Sequence, residues 1–207
     1  DFRDSFVSLK YESINELPVG AIIGSSSIRR KAQLLSIRSD LKVVEFRGNV
    51  QTRLKKLEDG IADATFLACS GLIRLGMKEL LNPISPDVMM PAIAQGIIGI
   101  EQRLSDVEIT ELLFPLNHEE TKTQAIVERA FLKVLDGSCR TPIGSISKID
   151  DKRIFLSGQV LKPDGSEIIS GNWEGLVDKP IDLGKMAGNE IKEKIDDSFF
   201  KKENLSY

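Results

Sequence analysis

Cys139 lies in a run rich in small and polar residues, 135–144, where a thiol could carry a covalently attached group. A thiol is the best nucleophile among the side chains of this chain, and the neighbouring Arg140 would favour its thiolate form. An inert loop cysteine is the competing interpretation. Cys69 lies in the apolar run 64–69 and is expected to be a small buried hydrophobic residue. The two cysteines do not indicate a disulfide framework, which fits a reducing compartment.

Arginines follow three predicted strands, and each lies in a loop that also holds small residues. The loops are 24–30, 47–53 and 70–74. The carboxyl ends of parallel strands share one edge of a sheet, and open α/β sheets bind ligands at that edge. A helix N-terminus there presents free N–H groups, and the planar guanidinium pairs bidentately with carboxylate or phosphate. Five arginines therefore predict a site for a small polyanion: Arg29, Arg30, Arg47, Arg53 and Arg74.

Each of these arginines taken alone is more simply explained as a solvated helix residue, so the repetition over three loops carries the prediction. Arg29 and Arg30 are adjacent, so their side chains are expected to point in different directions, which leaves one free to face solvent. The single histidine, His118, lies at a predicted helix start, where a capping or structural role is expected rather than a catalytic one. One histidine and two separated cysteines do not supply a His/Cys metal site, so no metal is expected.

The composition is that of a folded globular protein: 41% of the 207 residues are hydrophobic, 29% are charged, and the formal net charge is -3. The length allows one large domain or two small ones. The slight negative charge argues against a nucleic-acid partner. No apolar run approaches the roughly 20 residues of a membrane span, and no signal peptide is visible. We therefore expect neither a membrane nor a nucleic-acid partner.

Strand-like and helix-like segments alternate over the first 80 residues, which predicts βαβ units around a mostly parallel sheet. The predicted strands are 4–9, 21–24, 41–46 and 64–69, and the predicted helices are 28–36, 50–57 and 70–76. The following segment, 88–100, is too apolar for a solvent-exposed linker and needs a partner surface. We expect it to belong to a domain that is absent from this chain.

The rest of the sequence predicts a smaller α+β domain. The expected elements are helices over 105–113, 117–135 and 182–200 and two or three antiparallel strands, of which two are placed at 154–160 and 167–170. Ser105 is the expected N-cap of the first of these helices. The two strands flank the turn sequence Pro163-Asp164-Gly165, in which proline suits the first turn position and glycine supplies a positive φ. These strands are therefore expected to form a β-hairpin.

The chain resembles the porphobilinogen deaminase family, also called hydroxymethylbilane synthase, over nearly its whole length. The segments that carry the resemblance are 24–30, 47–54, 68–76, 91–96 and 128–131, together with Gly137-Ser138-Cys139. The resemblance implies a transferase of haem biosynthesis that joins four porphobilinogen molecules head to tail, with release of ammonia, to give the linear tetrapyrrole hydroxymethylbilane. It also implies a cytoplasmic monomer.

The resemblance further implies a dipyrromethane cofactor, two linked pyrrole units bound through a thioether to Cys139. The acetate and propionate groups of cofactor and substrate would be the anions that the arginines bind. The other positions that match the family's cofactor-binding residues are Ser27, Arg29, Arg30, Arg47, Arg53, Arg74 and Gln95, with backbone contacts near Ala68 and Gly71.

The fold implied is α/β, a periplasmic-binding-protein-like domain with a parallel or mixed sheet followed by a smaller C-terminal α+β domain that carries the cofactor cysteine. The expected divisions are 1–89, 117–207, and a segment 90–116 that completes an otherwise missing domain. The chain begins at Asp1 and lacks the family's Ser-Leu/Met-Lys-Asp motif, so no catalytic residue is expected in it and the chain alone is expected to be inactive. Ser138 replaces the second glycine of the family's Gly-Gly-Cys motif, which we expect to be tolerated if that residue does not need a positive φ.

Two other interpretations stay open from the sequence. The chain could be a non-catalytic solute-binding module of periplasmic type, with loop arginines that hold a free anion and an incidental Cys139. It could also be a degenerate fragment with a structural role. Ehrlich's reagent separates a synthase from a solute-binding module, because only a bound pyrrole gives colour.

Overall fold

The computed structural model describes residues 1–137, 141–195 and 199, and it contains two β-sheets. The strands are β1 (Asp4–Ser8), β2 (Ile22–Gly24), β3 (Lys42–Val44), β4 (Ala64–Ala68), β5 (Ile143–Asp150), β6 (Arg153–Leu161) and β7 (Ile168–Leu176). The helices are α1 (Ile28–Ile37), α2 (Val50–Glu58), α3 (Cys69–Arg74), α4 (Val107–Leu113), α5 (Glu119–Val134) and α6 (Pro180–Glu193).

The first sheet is mixed, with its strands in the order β1-β4-β2-β3. Strand β2 runs parallel to both β3 and β4, whereas β1 runs antiparallel to β4. The second sheet is antiparallel throughout, in the order β5-β6-β7. The predicted α/β class, with a parallel or mixed sheet and a separate antiparallel part, is confirmed at this level.

Helices cover both faces of the first sheet. Successive residues of a strand point to opposite faces, so Phe66 of β4 joins a core cluster with Leu34 of α1, whereas Leu67 joins a second cluster with Leu57 of α2 and Leu72 of α3. Burial on both faces explains why β4 reads as a continuous apolar run instead of an alternating one.

The second sheet is covered by α5 and α6, which pack against each other and against the strands. Val127 and Phe131 of α5 share a core with Ile191 of α6 and Leu156 of β6. Removing each such side chain from water contributes roughly 1.5–3 kcal/mol. The two helices approach closely because position 184 is a glycine, and a Cβ at Gly184 would overlap the carbonyl oxygen of Val127.

The predicted hairpin is confirmed, since β6 and β7 pair as antiparallel neighbours and Gly165 in their turn has a φ of 77°. This turn also contacts the first sheet's helix layer. A Cβ at Gly165 would approach the Ala32 carbonyl oxygen and the Ser36 amide nitrogen, both in α1. The hairpin turn therefore packs directly on α1.

Residues 81–106 connect the two regions without forming a helix or an extended strand. Met89 in this connection is buried, whereas the apolar side chains of Ile98 and Ile100 are exposed. The segment thus leaves the protein core after its first part and presents apolar surface to solvent.

Two predicted helix starts were wrong. Asp106, and not Ser105, caps α4, because its carboxylate accepts a hydrogen bond from the backbone N–H of Ile109. Helix α5 begins at Glu119 and not at Asn117.

The last helix also differs from its prediction over 182–200, because α6 spans Pro180–Glu193. Proline suits the first turn of a helix, where its missing N–H would have had no intrahelical partner. Cys69, predicted to end a strand, is instead the first residue of α3. No helix within the described residues has the length and apolar character needed to cross a membrane.

Candidate anion-binding site

The loops that follow β2, β3 and β4 open at one edge of the first sheet, because these three strands are parallel. Strand β1 is antiparallel to β4, so its first residue, Asp4, pairs with the last residue of β4, Ala68. The reversed direction of β1 therefore delivers a carboxylate to the same edge at which the arginine-containing loops begin.

The carboxylate of Asp4 is fully buried and binds two guanidiniums. Its Oδ2 accepts a hydrogen bond from Arg29 Nη2 at 2.8 Å, and its Oδ1 accepts one from Arg30 Nη2 at 2.7 Å. Gln95 Nε2 donates to the same Oδ1 at 2.9 Å. The expectation that Arg29 and Arg30 would diverge, with one free to face solvent, was wrong, because one shared anion draws both guanidiniums inward. We name Asp4, Arg29, Arg30 and Gln95 the arginine cluster.

The remaining donors of the two guanidiniums are used differently. Arg29 Nη1 donates to the Met90 carbonyl at 2.6 Å, and its Nη2 also reaches Gln95 Oε1 at 3.2 Å. Arg30 Nη1 donates to the Phe66 carbonyl at 2.9 Å, while its Nε is buried and has no acceptor among the described residues. Arg30 therefore keeps one unsatisfied N–H inside the site.

Charge in the arginine cluster is unbalanced by one positive unit. Burial alone would raise the pKa of Asp4, but attraction to Arg30 and Arg29 and their hydrogen bonds bring it below the ordinary value of 3.8. Asp4 is therefore ionised at neutral pH. Burial lowers the pKa of Arg29, yet guanidinium groups stay protonated in proteins. Two cations facing one anion leave a net positive charge, which favours a further anion.

Arg53 lies near enough to add to this charge. Partial burial lowers the pKa of Arg53, and repulsion by the charge on Arg30 lowers it further. Its Nε donates to the Gly48 carbonyl at 2.9 Å, at the start of the same loop. The second loop thus contributes one of its arginines to the surroundings of Arg30.

Arg47 and Arg74 do not join the cluster. Arg47 is 81% exposed and its Nε contacts Glu45 Oε1 at 2.6 Å. Arg74 ends α3 and is exposed. The carboxylate-binding role assigned to these two arginines stays a prediction.

The small residues of the loops occupy helix N-termini. Ser27 caps α1, and its hydroxyl accepts a hydrogen bond from the Arg30 backbone N–H at 3.4 Å. Ala68 precedes α3, which no side chain caps. A Cβ at Gly71 would meet no atom within 4 Å, so there is open space beside this helix start. These positions suit an anion, since the first N–H groups of a helix lack intrahelical partners.

A second set of contacts ties the cluster to the rest of the molecule through the backbone of Met90. Gln33 of α1 accepts from Met90 N at 2.6 Å and donates to Met90 O at 3.0 Å. Gln159 of β6 donates to the same Gln33 side chain at 2.8 Å. Arg29 and Gln33 thus hold the stretch of chain around Met90 between the two sheets.

Sequence reasoning missed Asp4 and Gln33. Asp4 could have been suspected as a charged residue at the first position of a predicted buried strand. The direction of that strand relative to its neighbour decides where the carboxylate lies, and periodicity does not report strand direction. Gln33 lies four residues after Arg29, on the same face of α1.

Cys139 lies outside the described residues, as do Ser138 and Arg140. The flanking Gly137 packs tightly, because a Cβ there would overlap the side chains of Leu132 and Ile143. A larger residue at the first position of the Gly-Ser-Cys motif would have to displace these two side-chain ends.

A separate buried carboxylate lies on α5. Glu128 accepts hydrogen bonds from Ala94 N at 2.8 Å and from the backbone and hydroxyl of Ser147 at 3.0 and 2.8 Å. Burial raises the pKa of Glu128 above its ordinary value of 4.5, although these hydrogen bonds oppose the rise. Glu128 thereby fixes the segment that contains Gln95 against the second sheet.

The predicted capping role of His118 is confirmed, since its Nδ1 accepts from the Thr121 backbone N–H at 3.3 Å and caps α5. Within the described part of the chain, no three His, Cys, Asp or Glu side chains lie together as a metal site would require.

Two family models match the chain. Residues 1–111 match "Porphobilinogen deaminase, dipyromethane cofactor binding domain", and residues 122–193 match "Porphobilinogen deaminase, C-terminal domain". A porphobilinogen deaminase from Paracoccus denitrificans (strain Pd 1222) is 48% identical over 201 residues, which are 97% of this chain. The chain spans 64% of the length of that relative. Together with the cationic edge of the first sheet, these matches place the chain in the porphobilinogen deaminase family.

Proposed function

We propose that the protein is a hydroxymethylbilane synthase, a transferase that condenses four porphobilinogen molecules head to tail, with release of ammonia, to give the linear tetrapyrrole hydroxymethylbilane. The proposal includes a dipyrromethane primer attached through a thioether to Cys139. The observation that carries it is the buried arginine cluster at the carboxyl edge of β2 and β4, in the part of the chain that matches the cofactor-binding family model.

The residues at this edge fit a ligand with several carboxylates. Pyrroles of this pathway bear acetate and propionate groups, and arginine is the side chain best suited to hold such groups. The excess positive charge of the arginine cluster, the unsatisfied Arg30 Nε and the neighbouring Arg53 would supply the charge and the donors. When bound, the dipyrromethane supplies the pyrrole end onto which substrate units are added.

Ser27, Ala68 and Gly71 would complete the site from helix N-termini. The open space beside Gly71 leaves room for a ligand to approach the start of α3. Arg47 and Arg74 lie on exposed surface, so we propose that they bind carboxylates of the growing chain. Gln95 would act near that chain from within the arginine cluster.

We assign no residue of this chain the role of general acid or base. Asp4 is the buried carboxylate of the site, but its pKa lies below the ordinary value because two guanidiniums hold its ionised form. An acid with a depressed pKa is already ionised at neutral pH, and its carboxylate is a weak base. Since Asp4 is also fully buried and both of its oxygens bind guanidiniums, we propose that proton transfer to pyrrole or amine comes from another group.

We propose the domain arrangement that the family resemblance implies. Residues 1–89 would form one domain of periplasmic-binding-protein type, 117–207 the domain with the cofactor cysteine, and 90–116 part of a further domain. The exposed apolar side chains in the last segment support this division, since apolar clusters on a surface mark contact sites. They include Ile98, Ile100, Leu104, Leu112, Phe114 and Leu116. A monomer in the cytoplasm is part of the same proposal.

Intact mass under denaturing conditions tests covalent attachment. The purified protein is expected to carry an increment of two pyrrole units, which Ehrlich's reagent should detect as colour. Cys139→Ser should remove both the increment and the colour, whereas the matched control Cys69→Ala should keep them. An increment that persists in Cys139→Ser would place the anchor elsewhere.

Activity is tested by adding porphobilinogen and measuring ammonia release together with tetrapyrrole formation. A synthase produces both. Reversible porphobilinogen binding without any covalent increment on the protein would instead support the alternative, a solute-binding module.

A further inference from the structure

We propose that Asp4 is a positioning residue of this site, whose single carboxylate fixes the guanidiniums of Arg29 and Arg30 in the arrangement that binds the carboxylates of a pyrrole ligand. The inference rests on the proposed function and adds to it a residue of β1, outside the three arginine-containing loops. Asp4 is fully buried, so it acts through the arginines and not by touching the ligand.

The geometry requires an anion at this point. Consecutive residues of an α-helix project about 100° apart, so the side chains of Arg29 and Arg30 would diverge without a shared partner. Their Nη2 atoms instead lie 2.8 and 2.7 Å from the two oxygens of one carboxylate. Two like charges brought this close repel each other, and a negative charge between them offsets that repulsion. Asp4 supplies that charge.

Asp4 is itself held in place, which lets it fix the arginines. Its backbone pairs with Ala68 in the sheet, and its carbonyl accepts a hydrogen bond from Ile84 N at 2.8 Å. Gln95 Nε2 donates to its Oδ1 at 2.9 Å. A carboxylate anchored at backbone and side chain gives the guanidiniums one defined orientation.

The two arginines are left in different states. Arg29 is bound at Met90 O, Asp4 and Gln95, so its guanidinium braces the site. Arg30 has its Nη atoms on Phe66 O and Asp4, and its Nε is buried without an acceptor among the described residues. Asp4 thus fixes Arg30 with one donor left unsatisfied, in a region where the charge of Arg30 also acts on Arg53.

The same contacts allow two other roles for Asp4. The three roles predict different effects of losing Asp4 on the affinity for the ligand. If Asp4 only stabilised the fold, its loss would leave the affinity of the folded protein unchanged. If Asp4 were an internal competitor of the ligand, its loss would free both guanidiniums and strengthen binding. A positioning role predicts weaker binding.

The experiment measures the dissociation constant of porphobilinogen by calorimetry in a Cys139→Ser background, where binding stays non-covalent. The isosteric variant Asp4→Asn is compared with the protein that keeps Asp4. The temperature is one at which circular dichroism shows both proteins to be folded. We expect the dissociation constant to rise by about tenfold or more, the effect of losing an oriented charge-assisted hydrogen bond. Asp40→Asn is the matched control, because Asp40 binds Arg38 at 2.8 and 2.7 Å away from the cluster; it should change the constant by less than about twofold.

An unchanged or smaller dissociation constant in Asp4→Asn overturns the inference while the proposed function stands. If Asp4→Asn does not fold, Asp4→Glu takes its place, because it keeps the charge but displaces the carboxylate by one methylene. Weaker binding by Asp4→Glu supports positioning, and equal or tighter binding overturns it. Absence of porphobilinogen binding in Cys139→Ser with Asp4 intact also overturns the inference, whereas the proposed function is decided separately by the covalent increment on the unaltered protein.

Discussion

Asp4 and Glu128 are two buried carboxylates of this chain, and they differ in the charge of their partners. Asp4 lies between two guanidiniums, whereas Glu128 accepts hydrogen bonds from the neutral donors of Ala94 and Ser147. The pKa of Asp4 is lowered and that of Glu128 is raised. Burial acts in the same direction on both groups, so the charge of the partners decides which way each pKa moves.

The difference separates two functions of a buried carboxylate. Glu128 ties the segment after Met90 to β5 and works as an acceptor of hydrogen bonds. Asp4 gathers positive charge at a sheet edge and leaves an excess of it. Residues with similar burial can therefore hold a fold together or prepare a site for a charged ligand, and their partners show which of the two applies.

The largest expected effect is that of Asp4→Asn on stability. The substitution leaves two buried guanidiniums without their shared anion, which should lower the free energy of unfolding by about 3–5 kcal/mol at pH 7. Urea unfolding followed by circular dichroism measures this change. A loss below about 1 kcal/mol, the usual size for a surface pair, would mean that the guanidiniums find other partners.

Glu128→Gln should have a smaller effect. The amide keeps one acceptor oxygen, but its NH₂ group would face either the Ala94 or the Ser147 N–H. One unsatisfied donor costs about 1–3 kcal/mol, so the free energy of unfolding should fall by less than in Asp4→Asn. The same urea titration compares the two variants, and the reverse order would contradict the distinction drawn between them.

The pH dependence of stability should have opposite signs at the two carboxylates. The folded pKa of Asp4 is below its ordinary 3.8, so its contribution is present above pH 3.8 and is lost as the pH falls through the folded pKa. The folded pKa of Glu128 is above its ordinary 4.5, so ionisation lowers stability as the pH rises from 4.5 through the folded value.

Unfolding free energies measured at intervals from acid to neutral pH test these signs. Each group can change the slope by at most about 1.4 kcal/mol per pH unit. Glu128→Gln should remove the decrease above pH 4.5, and Asp4→Asn should remove the decrease below pH 3.8, each relative to the unaltered protein. Profiles that stay parallel to that of the unaltered protein would show that neither group titrates as its surroundings require.

The smallest expected effect is that of Glu45→Gln, which extends the comparison to a carboxylate on the surface. Glu45 contacts Arg47, and both side chains are largely exposed. Exposed pairs contribute about 0–1 kcal/mol, so the free energy of unfolding should hardly change, and 0.5 M salt should reduce the difference further by screening. Free energies of unfolding measured at low and high salt check this prediction. A loss of unfolding free energy as large as that of Glu128→Gln would contradict it.

Much of the fold could be predicted from residue patterns. The apolar runs and the small-residue breaks located β1 to β4 and α1 to α3 to within a few residues, and the turn around Gly165 indicated the hairpin. The helix starts near Ser105 and Asn117 were displaced because neighbouring Asp106 and His118 provide better-placed caps. Several polar residues near a helix start compete for that role, and packing selects among them.

The site was predicted less completely than the fold. The arginine pattern located Arg29, Arg30 and Arg53 in one region, but it grouped Arg47 and Arg74 with them, although these two lie exposed. Side-chain direction within a loop or helix depends on how the element rotates against the sheet. The sequence of a loop alone does not determine how the loop or the following helix is rotated against the sheet.

The sequence by itself determined the alternating α/β elements, the arginines after the parallel strands and the membership of the porphobilinogen deaminase family, because periodicity and motifs are local properties of the chain. Only the tertiary structure decided that Asp4 lies between Arg29 and Arg30. That contact depends on β1 running antiparallel to β4, which brings the first residue of one strand to the last residue of the other. The partners of a buried charge are set by strand direction and packing, and these arise from the fold as a whole.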